Sequence, residues 1–163
     1  MEELRNKNIV QLKTLLHHIN FLSENEYSQS LEILSSASIG QHFRHIIEFY
    51  QILKAKADSK KVNYDKRKRQ KSLEVNLPEA NNATQEIIDW LNSNLEDIEL
   101  VVEQFNSKTA FKSSLKRELQ YVYEHTTHHM AIVKIGIKVL NPELIIPGNF
   151  GVSNSTLNYR TII

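Results

Sequence analysis

Apolar residues recur along most of this chain at the spacing of a helix rather than a strand. In the first segment Leu12, Leu15, Leu16, Ile19 and Leu22 fall on one stripe. They predict a helix from about Glu3 to Leu22, with His17 and His18 off the stripe and on the surface. A polar break follows at Ser23 to Glu26, and Tyr27 to Leu34 reads as a short helical or irregular piece. Ser38 and Gln41 have the capping-box spacing. They open a second helix to about Ala57, whose stripe is Ile39, Ile46, Phe49, Tyr50 and Leu53. Ile87, Ile88, Leu91 and Leu95 mark a third helix from about Ala83 to Asp97, and the lone Trp90 is expected to pack on the core. The fourth and longest runs from about Ser114 to Leu140, where Asn141-Pro142 stops it.

Two connections break the helical period. Asp58 to Asn82 contains the basic run Lys66-Arg67-Lys68-Arg69 and Pro78, and is expected to be a long crossing over one end of a bundle. Between the third and fourth helices, Leu100-Val101-Val102 and Thr109-Ala110-Phe111 flank Asn106-Ser107-Lys108. That pattern predicts a small β-hairpin, the alternative being a helix that continues to Phe105. The expected fold is mainly α: a four-helix bundle with a β-hairpin before the last long helix. Its 163 residues, with only four glycines and three prolines, suit one domain, 1–163, of long helices.

The fourth helix carries the most informative chemistry. His125 and His129 are one turn apart, so they point the same way, and Leu115, Leu119, Val122, Ile132 and Gly136 continue their stripe. Imidazoles therefore stand where a core helix would place Leu or Val. Burying two of them together disfavours charging both, unless a cation replaces the protons. Neutral imidazole is the commonest protein ligand for such a cation. The second helix adds His42 and His45 on the flank of its own stripe, where a neighbouring helix could meet His125 and His129. Three imidazoles and an exchangeable fourth position would suit Lewis-acid chemistry or an activated water. The alternative is a set of core histidines bonded to Tyr, Thr and Glu. His128 lies about 100° round from His129 and should point elsewhere, and Glu124 is similarly turned away from His125.

Bulk composition narrows the field. There is no cysteine, which excludes disulfides, thiolate metal sites and a cysteine nucleophile, and which fits a cytoplasmic protein. The chain is 40% hydrophobic and 24% charged, with a net charge of +1. Lysines and arginines gather between Lys54 and Lys71, but no recognition motif accompanies them, so nucleic acid is not an expected partner. No membrane helix or signal segment is expected. On the long connection, Tyr64, Asp65 and the Arg67/Arg69 pair either fold over the metal position to bind an anionic or polar substrate, or form a solvated basic loop. Gln41 and Thr126 are candidate partners that fix an imidazole tautomer.

Several runs together carry a resemblance: Ser38-Ile39-Gly40-Gln41-His42-Phe43-Arg44-His45, Tyr64-Asp65-Lys66-Arg67-Lys68-Arg69, Glu124-His125-Thr126-Thr127-His128-His129, and Phe150-Gly151-Val152 with Ser155-Thr156-Leu157. Over most of its length the chain resembles the DinB/YfiT-like superfamily of metal-dependent four-helix-bundle proteins. The resemblance implies a three-histidine site. Two of its ligands correspond to His125 and His129, and one from the second helix corresponds to His45 in its Arg44-His45-Ile46 context. His42 is the rival or an extra ligand. Related members include thiol-dependent transferases and a maleylpyruvate isomerase. The resemblance thus points to a divalent ion, zinc or nickel foremost, a small-molecule substrate, a low-molecular-weight thiol and a homodimer. The expected chemistry is thiol transfer or hydrolysis by metal-bound water, with a non-catalytic metal-binding or stress-response bundle as the alternative. Many members follow the last ligand with an Arg-Gly-Gln-like run, whereas here Met130-Ala131-Ile132 follows His129.

Overall fold

Four long helices form the body of the computed structural model, which describes residues 1–56, 59–104 and 109–162. They are α1 (Glu2–Ile19), α3 (Ile39–Lys56), α5 (Leu77–Asn92) and α6 (Leu115–Leu140). Short helices α2 (Glu24–Ser28), α4 (Ser72–Val75) and α7 (Asn154–Ile162) lie between and after them. Both α1 and α3 pack against α5 and α6. The bundle therefore runs in the ring order α1, α6, α3, α5, and the histidine-bearing α3 and α6 are neighbours. Their apolar stripes meet in one core. Leu12, Leu15 and Ile19 come from α1, Phe43, Ile46 and Leu53 from α3, Ile87 and Leu91 from α5, and Leu119, Val122 and Val133 from α6. Each such buried side chain contributes about 1.5–3 kcal/mol relative to an exposed one. Trp90 is half-buried against this core.

A polar chain crosses the core. The Tyr50 hydroxyl donates to Asn8 Oδ1 at 2.6 Å, and Asn8 Nδ2 donates to the Leu4 carbonyl at 2.8 Å. Both residues are fully buried, so these bonds offset a desolvation cost that either group alone would leave unmet.

Several helix boundaries depart from expectation. The polar stretch after α1 is a new start: Ser23 and Glu26 make a reciprocal capping box that opens α2, and α1 stops at Ile19. Pro78 lies in the first turn of α5, where it has no helical donor to lose, and Asn76 caps that turn by accepting from Glu79 N at 2.9 Å. The third long helix consequently begins at Leu77, six positions before Ala83, and it ends at Asn92. His18 is buried, contrary to its expected surface place. Its Nδ1 meets the Thr14 carbonyl at 2.8 Å and its ring packs edge-on to Phe150 from the C-terminal segment.

The hairpin is present as β2 (Glu99–Glu103) paired antiparallel with β3 (Ala110–Ser114), in the register Val101 opposite Lys112. The helical alternative is thereby excluded. The turn expected at Asn106-Ser107-Lys108 lies outside the described residues. A third strand, β1 (Lys61–Val62), adds parallel to β2 and was not anticipated. Two residues in a lysine-rich stretch are too short to show an alternation. The sheet anchors the start of the 59–76 connection beside α3, and Ser114 then caps α6 by accepting from Arg117 N.

Gly40 explains why α4 can lie on the first turn of α3. A Cβ at this position would stand 2.1 Å from the Glu74 carbonyl oxygen and 2.9 Å from the Tyr27 ring. Backbone cannot yield there as a flexible side chain would. Gly40→Ala should lower stability by about 1–3 kcal/mol, read as a shift in the urea midpoint. An unchanged midpoint would show that α4 is free to lift.

Candidate metal centre

The contact between α3 and α6 brings three imidazoles together. One ring nitrogen from each of His45, His125 and His129 lies within 4.8 Å of the other two. His45 Nε2 and His125 Nε2 are 2.9 Å apart, and the His129 ring centre is 4.6 Å from each of the other two ring centres. Two nitrogens on one tetrahedral zinc at ordinary bond lengths would be separated by ~3.3 Å. The 2.9 Å pair lies near that value and all three nitrogens fall within 4.8 Å of one another, so the three rings are placed to share an ion.

Electrostatics favours the same use. Burial holds all three rings far below the ordinary imidazole range, and neighbouring charge adds to it. His45 is lowered to about 3 by burial and then by the Arg67 guanidinium. His125 is lowered to about 4 by burial and then by His128. His129, 9% exposed, is lowered to about 2 by burial and then by His45 and His125. At neutral pH the site therefore offers uncharged imidazoles with lone pairs available, the form that binds divalent metals.

A stability consequence follows. Each imidazole has a folded-state pKa below its ordinary 6.5, so the unfolded chain binds more protons in acid. The contribution is complete above about 6.5 and is lost progressively as pH falls from there through about 4. Urea midpoints of metal-free protein at fixed ionic strength should decline steadily from pH 7 to pH 5. A flat profile would contradict neutral burial of the cluster.

Aromatic rings hold the cluster from one side. Phe49, one turn after His45 on α3, stacks on His125 at 4.2 Å and 19°. Tyr64 stacks in turn on Phe49 at 4.8 Å and 11°. The Tyr64 hydroxyl donates to Glu118 Oε2 at 2.8 Å, and Glu118 also accepts from Ser113 Oγ at 2.6 Å. Glu118 and Tyr121 precede His125 on the same face of α6, so one helix supplies both the histidines and their support.

Arg67 approaches from the connection, with its guanidinium carbon 4.9 Å above the Phe49 ring. One of its terminal nitrogens donates to the Tyr64 carbonyl, and its Nε lies 3.8 Å from Glu48 Oε2. Glu48, only 2% exposed, also faces Arg44 Nε at 3.7 Å and accepts from Gln70 N at 2.7 Å. Arg44 pairs further with Glu74 of α4. This buried network fixes the 64–74 stretch against α3, with Arg67 beside the histidines.

The remaining candidates are placed as follows. Gln41 is spent on the helix cap, its amide oxygen accepting from Ser38 N at 3.2 Å. Thr126 turns into the core, donating to the Val122 carbonyl at 2.7 Å and lying 3.4 Å from the Tyr50 hydroxyl. Among the described residues neither bonds a histidine, so the tautomer-fixing role expected of them is not theirs. Arg69 is exposed and away from the histidines, whereas Tyr64 and Arg67 reach the site and the exposed Asp65 lines the cavity beside Phe49, Tyr64 and Tyr121. His42 stands outside the three-nitrogen cluster, its Nδ1 3.1 Å from His129 Nδ1. His128 is exposed, as its angular position predicts. The reading from sequence missed Phe49, Glu48 and Glu118. Phe49 and Glu118 shared a helical face with named histidines, and Glu48 was a carboxylate beside an apolar stripe, which were the available signals.

Among the described residues, no helix is long and apolar enough to cross a membrane. Neither a curated protein nor a solved structure matches the chain. A family model does, over residues 3–138, a span that includes α1, the histidines of α3 and α6, and the sheet between them. With that match and a helical bundle carrying a histidine triad able to hold a metal ion, the chain belongs to the DinB family.

Proposed function

We propose that this protein is a metalloenzyme whose divalent ion, zinc or nickel, is held by His45, His125 and His129. The observation that carries the reading is the convergence of three neutral imidazole nitrogens within 4.8 Å, contributed by two packed helices. A bound ion would supply Lewis acidity at an exchangeable position, serving either transfer of a low-molecular-weight thiol or hydrolysis. The chain's own residues set the conditions. Phe49 and Tyr64 hold the His125 ring by stacking, and Arg67 places a positive charge that would draw a thiolate or carboxylate toward the cluster. A cavity of about 230 Å³ bounded by Phe49, Tyr64, Glu118 and Tyr121 lies one turn of α6 from His125 and offers room for a small substrate. The cytoplasmic location and homodimeric assembly suggested by the resemblance belong to the same proposal.

The non-catalytic alternative is a metal-binding bundle acting through protein contacts, and a fourth position closed by protein, for example by His42, would favour it. His42 contacts His129 but stands outside the three-nitrogen cluster, which supports the catalytic reading. The test is elemental analysis of untagged protein, followed by assays with a panel of thiols and electrophiles and with simple esters and amides. Thiol consumption that depends on the ion supports transfer, and ion-dependent ester or amide cleavage supports hydrolysis. Stoichiometric metal with neither activity would favour the non-catalytic bundle.

A further inference from the structure

The geometry points to His42 as a positioning residue that sets the tautomer of His129 and so decides whether that ring has a lone pair to give an ion. The inference rests on the metal site proposed above and adds a residue to it.

His42 Nδ1 and His129 Nδ1 are 3.1 Å apart, a hydrogen bond between two ring nitrogens. Between neutral imidazoles one nitrogen must carry the proton and the other must accept it. If His42 donates, the His129 proton sits on Nε2 and neither nitrogen of His129 is free for a cation. If His129 donates, its Nε2 holds a bare lone pair. Only the second arrangement is compatible with an ion, and it requires His42 to accept at Nδ1 and carry its own proton on Nε2. Metal-bound histidines generally donate their other N–H to a neighbouring acceptor, which fixes the ring and raises its basicity. Elsewhere that acceptor is usually a carboxylate, a carbonyl or water; here the chain presents another imidazole.

The far nitrogen of His42, Nε2, is buried and has no hydrogen-bond partner among the described residues, so the contact with His129 is the one that sets the tautomer of this half-buried ring. Its position on α3, three residues before His45, puts ligand and support on one helical face.

The test uses zinc and the full-length chain. Zinc affinity is measured by chelator competition for the wild type, His42→Leu and His42→Gln, with melting of the metal-free proteins as a control on folding. His42→Leu removes the acceptor and should weaken zinc binding by roughly 10–100-fold. His42→Gln keeps an oxygen acceptor and should restore most of that loss. Nitrogen-15 spectra of the wild type loaded with cadmium-113 provide a readout independent of any variant's folding. His129 should show its proton on Nδ1, His42 its proton on Nε2, and only His45, His125 and His129 should show coupling to cadmium. Undiminished zinc binding by His42→Leu, or cadmium coupling to His42, would overturn the inference while leaving the three-histidine site standing. Absence of zinc binding by the wild type would overturn the site and this role together.

Discussion

Replacing His129 with alanine is expected to abolish divalent-ion binding at the proposed three-histidine site. Of the three clustered rings His129 is the most enclosed, with ring centres of His45 and His125 both 4.6 Å away. Its loss leaves two imidazoles, fewer than the three protein ligands an open zinc site ordinarily uses. It also removes the ring that His42 supports. Loss of a supporting residue alone typically costs about 10–100-fold in affinity, so loss of a ligand should cost about 100-fold or more. Metal content of untagged protein should fall from about one ion per chain to background, and chelator competition should show the drop in affinity. His128→Ala is the matched control, because His128 neighbours His129 in sequence but is exposed and outside the cluster. Equal metal content in wild type and His129→Ala would remove the basis of the proposed chemistry.

The second large effect concerns Glu48. Its carboxylate is 2% exposed and faces two guanidinium groups, Arg44 at 3.7 Å and Arg67 at 3.8 Å, while accepting the Gln70 N–H. Glu48→Ala would leave both positive charges largely desolvated, close together, and short of one counter-charge. It would also orphan a backbone donor. Breaking a buried pair in this way costs about 3–5 kcal/mol. Chemical denaturation should show that loss, with Glu48→Gln intermediate, because its amide oxygen can still accept from Gln70. A change under about 1 kcal/mol would mean that water reaches the network. The Lys7–Glu3 pair offers the contrast: it is short, at 2.6 Å, but lies on the exposed face of α1 and contributes little. Metal affinity gives a second readout for Glu48→Ala, because a displaced Arg67 would no longer press on Phe49 beside His125.

Much of this was legible in the chain because helical periodicity is a local property. The stripe through Leu115, Leu119 and Val122 identified α6 and put His125 and His129 on its inner face. The Ser38–Gln41 spacing located the start of α3 and hence the phase of His42 and His45. What periodicity could not supply was the partner each side chain meets. Thr126 looked available to the histidines because it adjoins His125, yet one residue is about 100° of rotation, and that turn points it at Tyr50. His18 looked exposed from its own helix, and it is buried because Phe150, more than a hundred residues later, packs over it. Pro78 reads as part of the long connection but opens a helix, a place where proline is equally at home. Strand β1 exists only through pairing with β2, a long-range contact with no trace in two residues of sequence.

His45 and His125 come from positions 80 residues apart, on helices joined through the sheet and the long connection. An ion seated between them would clasp the two halves of the chain like a removable rivet. Because only the folded form offers that seat, each tenfold rise in free metal above the dissociation constant adds about 1.4 kcal/mol of resistance to unfolding. The melting point of the bundle would then double as a gauge of the metal surrounding it, and chelation would soften the protein without touching a single covalent bond.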